Sequence, residues 1–244
     1  MSSTDSSTAP AASPDAVLSV GVALFDGVTQ QDYIGPISAL GPHCKVHLLH
    51  TSSEAVRSDL RFGILPSSTF ADVQRVDILL VPGAPTHYII AALQDDGLME
   101  AIARLGRGAR YVTSVCTGAV LLGCAGLLDG YRATTHWTAL PVLEAMGIET
   151  VRQRVVHDRN RLTGGGVTAG LDFGLTLLAV LKGEACAKAT QLILEYDPQP
   201  PFNAGSPQGA GKEITALALT PERQRTVQQC IDLIQQRRRG GRPE

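Results

Sequence analysis

The sequence contains no long hydrophobic run, no excess of charge of either sign and no metal-type spacing of cysteine and histidine. Each of these absences removes a class of function. No stretch approaches the roughly 18 uninterrupted apolar residues of a membrane span. Residues 1–15 have neither the basic start nor the apolar run of a secretion signal, so a soluble chain with no membrane partner is expected. Lys and Arg number 21 against 23 Asp and Glu, a net charge of −2. With no broad basic field there is no draw toward nucleic acid, and the expected partner is a small molecule. The five cysteines, at 44, 116, 124, 186 and 230, are odd in number and scattered. That argues against a disulfide framework and for a reducing compartment, the cytoplasm. There is no internal repeat, no Gly-x-x-x-x-Gly-Lys phosphate loop and no metal-ligand cluster.

What is present is enough chain, 244 residues, for one large α/β domain with a substantial core. Residues 1–16 are rich in Ser, Thr, Ala and Pro, have almost nothing to bury, and are expected to form a disordered tail. Residues 17–210 then make the domain and 211–244 a C-terminal helical extension. Within the extension, Pro221 to Arg239 reads as a polar helix, too little for a helix-turn-helix domain. Its basic end, Arg237-Arg238-Arg239, complements its own dipole and solvent.

The domain is organised around the stretch from Ala109 to Gly123. Tyr111 to Val115 is short, apolar and β-branched, the pattern of a buried parallel strand, while Thr117 to Leu122 is small and apolar, the pattern of a packed helix. Cys116 falls at the change of period, on a sharp strand-to-helix turn. Such a turn lifts a side chain clear of the sheet and sets it at a helix N-terminus, where unpaired N–H groups and the dipole stabilise a thiolate. Gly118, with no Cβ, lets the helix approach the strand as in a Gly-x-Ser-x-Gly nucleophile elbow, although Ser114 replaces the first glycine. The competing reading makes Cys116 one more buried small hydrophobe, as Cys124 in Leu-Leu-Gly-Cys-Ala-Gly is read to be.

Val17 to Phe25 is an apolar strand, and Asp26-Gly27 turns it toward a helix entered near Pro36, which leaves Asp32 on the loop between them. In an open parallel sheet the loops after the strands' carboxyl ends form the ligand crevice, so Asp32 and Cys116 are expected on one face. A helix cap or a solvated carboxylate is the alternative for Asp32. Lys45 to His50 is a second strand, Phe62 to Phe70 an excursion able to pair as a short hairpin, and Val76 to Val81 a third core strand. That strand leaves through Pro82-Gly83-Ala84-Pro85, where the N–H groups of Gly83 and Ala84 either point at a developing anion or simply continue the chain. Gly97 to Gly106 is an amphipathic helix, and Gly126 caps the helix after Cys116. His136, in Thr-Thr-His-Trp, is a candidate base or clamp near Cys116, or a structural histidine. Val155 to Leu162 reads as a hairpin across Asp158-Arg159-Asn160. Gly164-Gly165-Gly166 leads into a helix from Thr168 to Leu181 and suits either close backbone approach to a site or a hinge. Ala185 to Tyr196 is a further helix, and Asp197 to Gly211 a Pro- and Gly-rich strap.

With Gln31-Asp32, Pro82-Gly83, Thr113-Ser114-Val115-Cys116-Thr117-Gly118, Ala133-Thr134-Thr135-His136-Trp137 and the run from Leu162 to Gly170 placed, the chain resembles the class I glutamine amidotransferase-like superfamily. The likeness runs from about Val17 to Gln208, takes in Leu194-Glu195-Tyr196-Asp197-Pro198 and the run from Pro200 to Pro207, and is greatest to the isonitrile-hydrating members. It implies a flavodoxin-like three-layer α/β sandwich with a mostly parallel central sheet and a cysteine nucleophile elbow. It further implies Cys116 as nucleophile, Asp32 as acid and base, and Thr117 as a polar neighbour. Gly83, Ala84, His136, Gly165 and Gly166 then form the environment of the substrate or an oxyanion. The implied substrate is a small isonitrile, hydrated to an N-substituted formamide by a homodimer that needs no cofactor. Cys-Thr-Gly and Ala-Thr-Thr-His-Trp also occur in the amidotransferase-like domains of some transcription regulators, so a non-enzymatic ligand-sensing domain is the alternative from another class. A cysteine amidase or hydrolase is weaker, because those relatives place a histidine directly after the cysteine where this chain has Thr117. Two departures stand out: Ala84 occupies a position where relatives commonly have glycine, and Gln31 directly precedes Asp32 where an apolar residue usually intervenes.

Overall fold

The computed structural model describes residues 17–239. The expected tail, residues 1–16, and residues 240–244 of the expected extension lie outside the described residues. Along the chain, β1 (Leu18–Ala23) leads to α1 (Gln31–Leu40) and β2 (Cys44–His50), then to the two-residue strands β3 (Val56–Arg57), β4 (Gly63–Ile64) and β5 (Ser68–Thr69). There follow β6 (Ile78–Val81), α2 (Thr86–Gln94), α3 (Asp96–Gly108), β7 (Tyr111–Val115), α4 (Gly118–Cys124) and β8 (Arg132–Ala133). A 3-10 turn at Trp137–Ala139 precedes α5 (Leu140–Ala145), β9 (Glu149–Thr150), β10 (Val155–Asp158) and β11 (Arg161–Gly164). The chain closes with α6 (Ala169–Lys182), α7 (Glu184–Ile193), α8 (Pro207–Ala218) and α9 (Pro221–Arg239).

Seven strands form one sheet in the order β10-β11-β7-β6-β1-β2-β5. It is parallel throughout except at the β10–β11 hairpin. Its central strands are near-continuous apolar runs because helices cover both faces. Helices α1, α6 and α7 pack together on one side, and α2 to α5 with α9 on the other. Val20, Val22, Leu79, Leu80, Val112 and Val115 are fully buried between them. This is the expected three-layer sandwich. Gly170 and Gly174 bring α6 onto α1, since a Cβ at either would lie 2.8 or 2.9 Å from atoms of Pro36. Val81 pairs with Ser114, and Ser114 with Thr163, so β6, β7 and β11 end in register and their exits share one edge of the sheet.

Several local expectations change. Helix α1 begins at Gln31, so Asp32 sits in its first turn rather than on a loop, and Pro36 lies inside the helix. The Asp197–Gly211 strap gives way to α8 at Pro207. The Ser206 Oγ accepts the Gly209 N–H at 3.1 Å as an N-cap, and the helix breaks at Gly211, where φ is 76°. The excursion after β2 does pair, but as β3 with β4, while β5 joins the sheet beside β2. Helix α9 is a packed element and not merely a solvated one: it lies against α2 and α5 and buries Cys230 and Ile234. Gly126 ends α4 as expected, with φ 73°. The Leu127 N–H donates to the Leu122 carbonyl at 3.0 Å and the Gly126 N–H to the Gly123 carbonyl at 3.1 Å, a Schellman closure.

Candidate active site

Cys116 has φ 57°, a left-handed conformation that costs a side-chain-bearing residue about 1–3 kcal/mol and persists only when its surroundings hold it. Here they do. Its N–H donates to the Gly164 carbonyl at 3.1 Å, extending the β7–β11 ladder one residue beyond the strand. Its carbonyl accepts the Thr135 hydroxyl at 2.8 Å. Helix α4 is pressed so closely on the end of β6 that a Cβ at Gly118 would collide with the Val81 carbonyl oxygen. The turn read from the change of period is therefore a nucleophile elbow, with Cys116 at its apex.

Asp32 is brought to it by a ring of hydrogen bonds, two between backbone groups and one to its own carboxylate. The Asp32 N–H donates to the Thr29 carbonyl at 3.0 Å, and the Thr29 N–H to the Gly83 carbonyl at 2.9 Å. The Gly83 N–H returns to Asp32 Oδ2 at 2.8 Å. Only glycine fits at 83: a Cβ there would stand 2.5 Å from the Thr117 nitrogen, 2.6 Å from its Oγ1 and 2.9 Å from Asp32 Oδ2. Asp32 Oδ1 is buried with no hydrogen-bond partner among the described residues. The carboxyl nevertheless lies close enough to the Cys116 thiol for each to perturb the other's titration. Burial pushes Asp32 up to about 7, against the pull of the Gly83 N–H and the Cys116 thiol. Burial, and after it the Asp32 charge, also pushes the Cys116 thiol well above its ordinary range. The Thr117 N–H and hydroxyl act in the opposite direction, as a helix start should, but do not prevail. The expected stabilised thiolate is thus corrected: in this buried pair neither group ionises easily, because each anion disfavours the other and water is excluded.

A cavity of about 740 Å³ opens over Cys116. Thr117, Ala84 and His136 share its wall, whereas Asp32, with no exposed surface, lies behind it. Gly165 and Gly166 stand off the wall, which Val167 reaches instead. The Gly165 N–H donates to the Arg154 carbonyl at 2.9 Å. The expected anion-binding amides of the β6 exit are likewise engaged. Gly83 serves Asp32, and the Ala84 N–H donates to Thr117 Oγ1 at 2.8 Å while that hydroxyl donates to the Ala84 carbonyl at 2.7 Å. Thr117 is therefore the tie between elbow and β6. His136 holds the Thr138 hydroxyl at 2.7 Å and, among the described residues, makes no hydrogen bond to Cys116. Burial and then the Arg223 charge lower its pKa, keeping it neutral.

Sequence reasoning missed two parts of this wall. Leu217, Thr220, Arg223 and Val227 of the α8–α9 segment roof the cavity. The signals were there: Ser206-Pro207 is a cap followed by a first-turn proline. Val227, Cys230, Ile231 and Ile234 recur at helical spacing, which marks a packed face. Thr29 and Asp59 form the other side and carry no sequence signal, because Asp59 arrives only through the pairing of Ser58 with Val28. Among the described residues no cluster of three His, Cys, Asp or Glu is placed to hold a metal. No helix among them is long and apolar enough to cross a membrane.

The family model of the DJ-1/PfpI family matches residues 18–180. The isonitrile hydratase of Pseudomonas putida is 44% identical over 199 residues, which is 81% of this chain and 86% of that protein. The HTH-type transcriptional regulator GbdR of Pseudomonas aeruginosa is 30% identical over 153 residues, 62% of this chain but 41% of the regulator. A crystal structure of a THiJ/PfpI family protein from Pseudomonas syringae superposes with a TM-score of 0.84 at 36% identity, covering 93% of this chain and 98% of that one.

Proposed function

The chain belongs to the DJ-1/PfpI family, and from that premise we propose that it hydrates isonitriles, R–NC, to N-substituted formamides, with Cys116 as the nucleophile and Asp32 as acid and base. The observation that carries the reading is the elbow thiol paired with a buried carboxyl at a roofed cavity, in a chain 44% identical over most of its length to an isonitrile hydratase.

The terminal carbon of an isonitrile accepts both a soft nucleophile and a proton. In the first half-reaction the Cys116 sulfur bonds to that carbon and the one proton held by the Cys116–Asp32 pair goes to the same carbon, giving a thioimidate, R–N=CH–S, and an Asp32 carboxylate. The carboxylate then takes a proton from water as the oxygen attacks, and passes it to the nitrogen. Collapse of the resulting R–NH–CH(OH)–S centre breaks the carbon–sulfur bond and returns the hydroxyl proton to the pair, releasing R–NH–CHO. Only water is consumed. Thr117 fixes the elbow against β6 throughout, and His136, neutral and held by Thr138, contributes to the pocket wall.

Residues 17–210 are taken as the catalytic domain and 211–244 as its extension, a division in keeping with the break in α8 at Gly211. The protein acts in the cytoplasm, in keeping with five cysteines outside any disulfide, and as a homodimer. Exposed Leu192, Ile193 and Phe202, on α7 and the segment after it, supply apolar surface for a second copy. A monomeric mass in solution scattering would count against the dimer.

The test is formamide production from an isonitrile by the purified protein. Cys116→Ala should fall to background while Cys44→Ala stays active, and Asp32→Asn should lose on the order of 100-fold or more. Near-normal turnover by Asp32→Asn would remove it from the mechanism and return His136 to consideration. A silent wild type that still binds small ligands would favour the non-enzymatic ligand-sensing alternative over the hydratase.

A further inference from the structure

A second carboxylate stands beside the site, and the mechanism above does not use it. Asp59 follows β3, in the excursion that β3 and β4 close. Ser58 bridges to Val28, and the Asp59 N–H donates to the Val28 carbonyl at 3.1 Å, so this segment is tied to the exit of β1. There Asp59 Oδ2 accepts the Thr29 hydroxyl at 2.8 Å. Thr29 is also the residue whose carbonyl holds the Asp32 N–H and whose own N–H reaches Gly83. The Oδ1 atoms of Asp59 and of Asp32 are both buried without a hydrogen-bond partner among the described residues. Two carboxyl groups thus share one network through Thr29. Two neighbouring carboxylates disfavour ionising together.

We propose that Asp59 is a positioning residue that keeps a proton on Asp32, its negative charge, anchored by Thr29, opposing the appearance of a second one on the neighbouring carboxyl. The inference rests on the reading of Asp32 as proton donor. Burial is the first cause of the rise of Asp32 to about 7, and the Asp59 charge adds to it in the same direction. No other charged group takes this role. Cys116 faces Asp32 from the elbow, and its thiolate is itself disfavoured. His87 on α2, His136, and Glu222 and Arg223 on α9 reach the cavity but make no hydrogen bond to Asp32 among the described residues. On the helices packed against α1, Asp172 of α6 is turned to Arg154 at 2.6 Å and Tyr196 at 2.9 Å, and Glu184 of α7 is paired with Lys188 at 2.8 Å.

The sign follows directly. Without the Asp59 charge, Asp32 loses its proton at lower pH, while the Cys116 thiol, held well above its ordinary range, keeps its own. The experiment is the infrared C=O band of the protonated Asp32 carboxyl, assigned by its disappearance in Asp32→Asn and titrated in the full chain and in Asp59→Asn. Asparagine is isosteric and can still accept the Thr29 hydroxyl, so the segment stays in place. The midpoint should fall by on the order of one unit in Asp59→Asn. Asp59→Glu should restore it. An unmoved infrared midpoint overturns the proposal even if isonitriles are hydrated. A shifted midpoint in a protein that hydrates none upholds the Asp59–Asp32 link and instead removes the hydratase reading.

Discussion

Asp32 is expensive to the fold. A carboxyl group with no exposed surface and one orphaned oxygen is a poor place for a charge, which is why burial raises it from 3.8 to about 7. Because the folded value lies above the unfolded one, the stability it contributes is fully present below about pH 4 and is lost as pH rises through about 7. Asp32→Asn keeps an acceptor for the Gly83 N–H and has nothing to ionise. It should therefore be more stable than the parent at pH 8, by on the order of a few kcal/mol, with the difference shrinking as pH falls below 7. Urea midpoints of both proteins from pH 4 to 8 check this, and parallel curves would mean that Asp32 is solvated in solution. At this scale the sequence showed what was local. Cys116 was legible because a change of period marks it within ten residues, and Gly118 because an elbow needs a residue without Cβ two places on. The orphaned oxygens, Thr29 and Asp59 were not, since they depend on which segment pairs beside β1. The fate of the Gly83 and Ala84 amides was equally hidden, because their partners lie 51 and 33 residues away.

Among the elements, α4 carries the greatest constraint. It holds only seven residues, so its dipole is small, and its value to the site lies in how closely it meets β6. Gly118→Ala drives a methyl into the Val81 carbonyl, with the Pro82 carbonyl 2.7 Å away on the same side. It should cost about 3 kcal/mol in urea denaturation and remove catalysis together with the elbow geometry. An unchanged midpoint would show that α4 can ride off the sheet. Strands and long helices were readable because their apolar periods are sustained: β7, the β10–β11 hairpin and α6 lie close to their expected bounds. The start of α1 was not, because Pro36 imitates a first-turn proline while in fact lying mid-helix. Helix α8 showed only its Ser206-Pro207 start: none of its residues is buried, so it has no apolar face to confirm what the cap announces.

Across the whole molecule the cavity joins the two ends of the described chain. Its floor comes from β1, β6 and β7 exits, its roof from α8 and α9. Leu217 belongs to the roof and touches none of the reacting groups, so Leu217→Ala should leave kcat nearly unchanged and raise KM several-fold for isonitriles with bulky apolar R groups. Steady-state kinetics over substrates of graded size decide it, and an equal loss for small and large substrates would place Leu217 outside the binding wall. The sandwich architecture was legible from alternating periods, whereas the roof required knowing where α9 docks, which no local pattern states. That arrangement also has a history in time. A chain is made from its N-terminal side, and Cys116 precedes Pro221 by about a hundred residues, roughly 5–20 s of elongation. In the later part of that interval, once Thr135 and Gly164 have been made to hold the elbow, the thiol has its floor and no roof, and it meets whatever solutes surround the ribosome, an exposure that alkylation of chains stalled before Pro221 would measure.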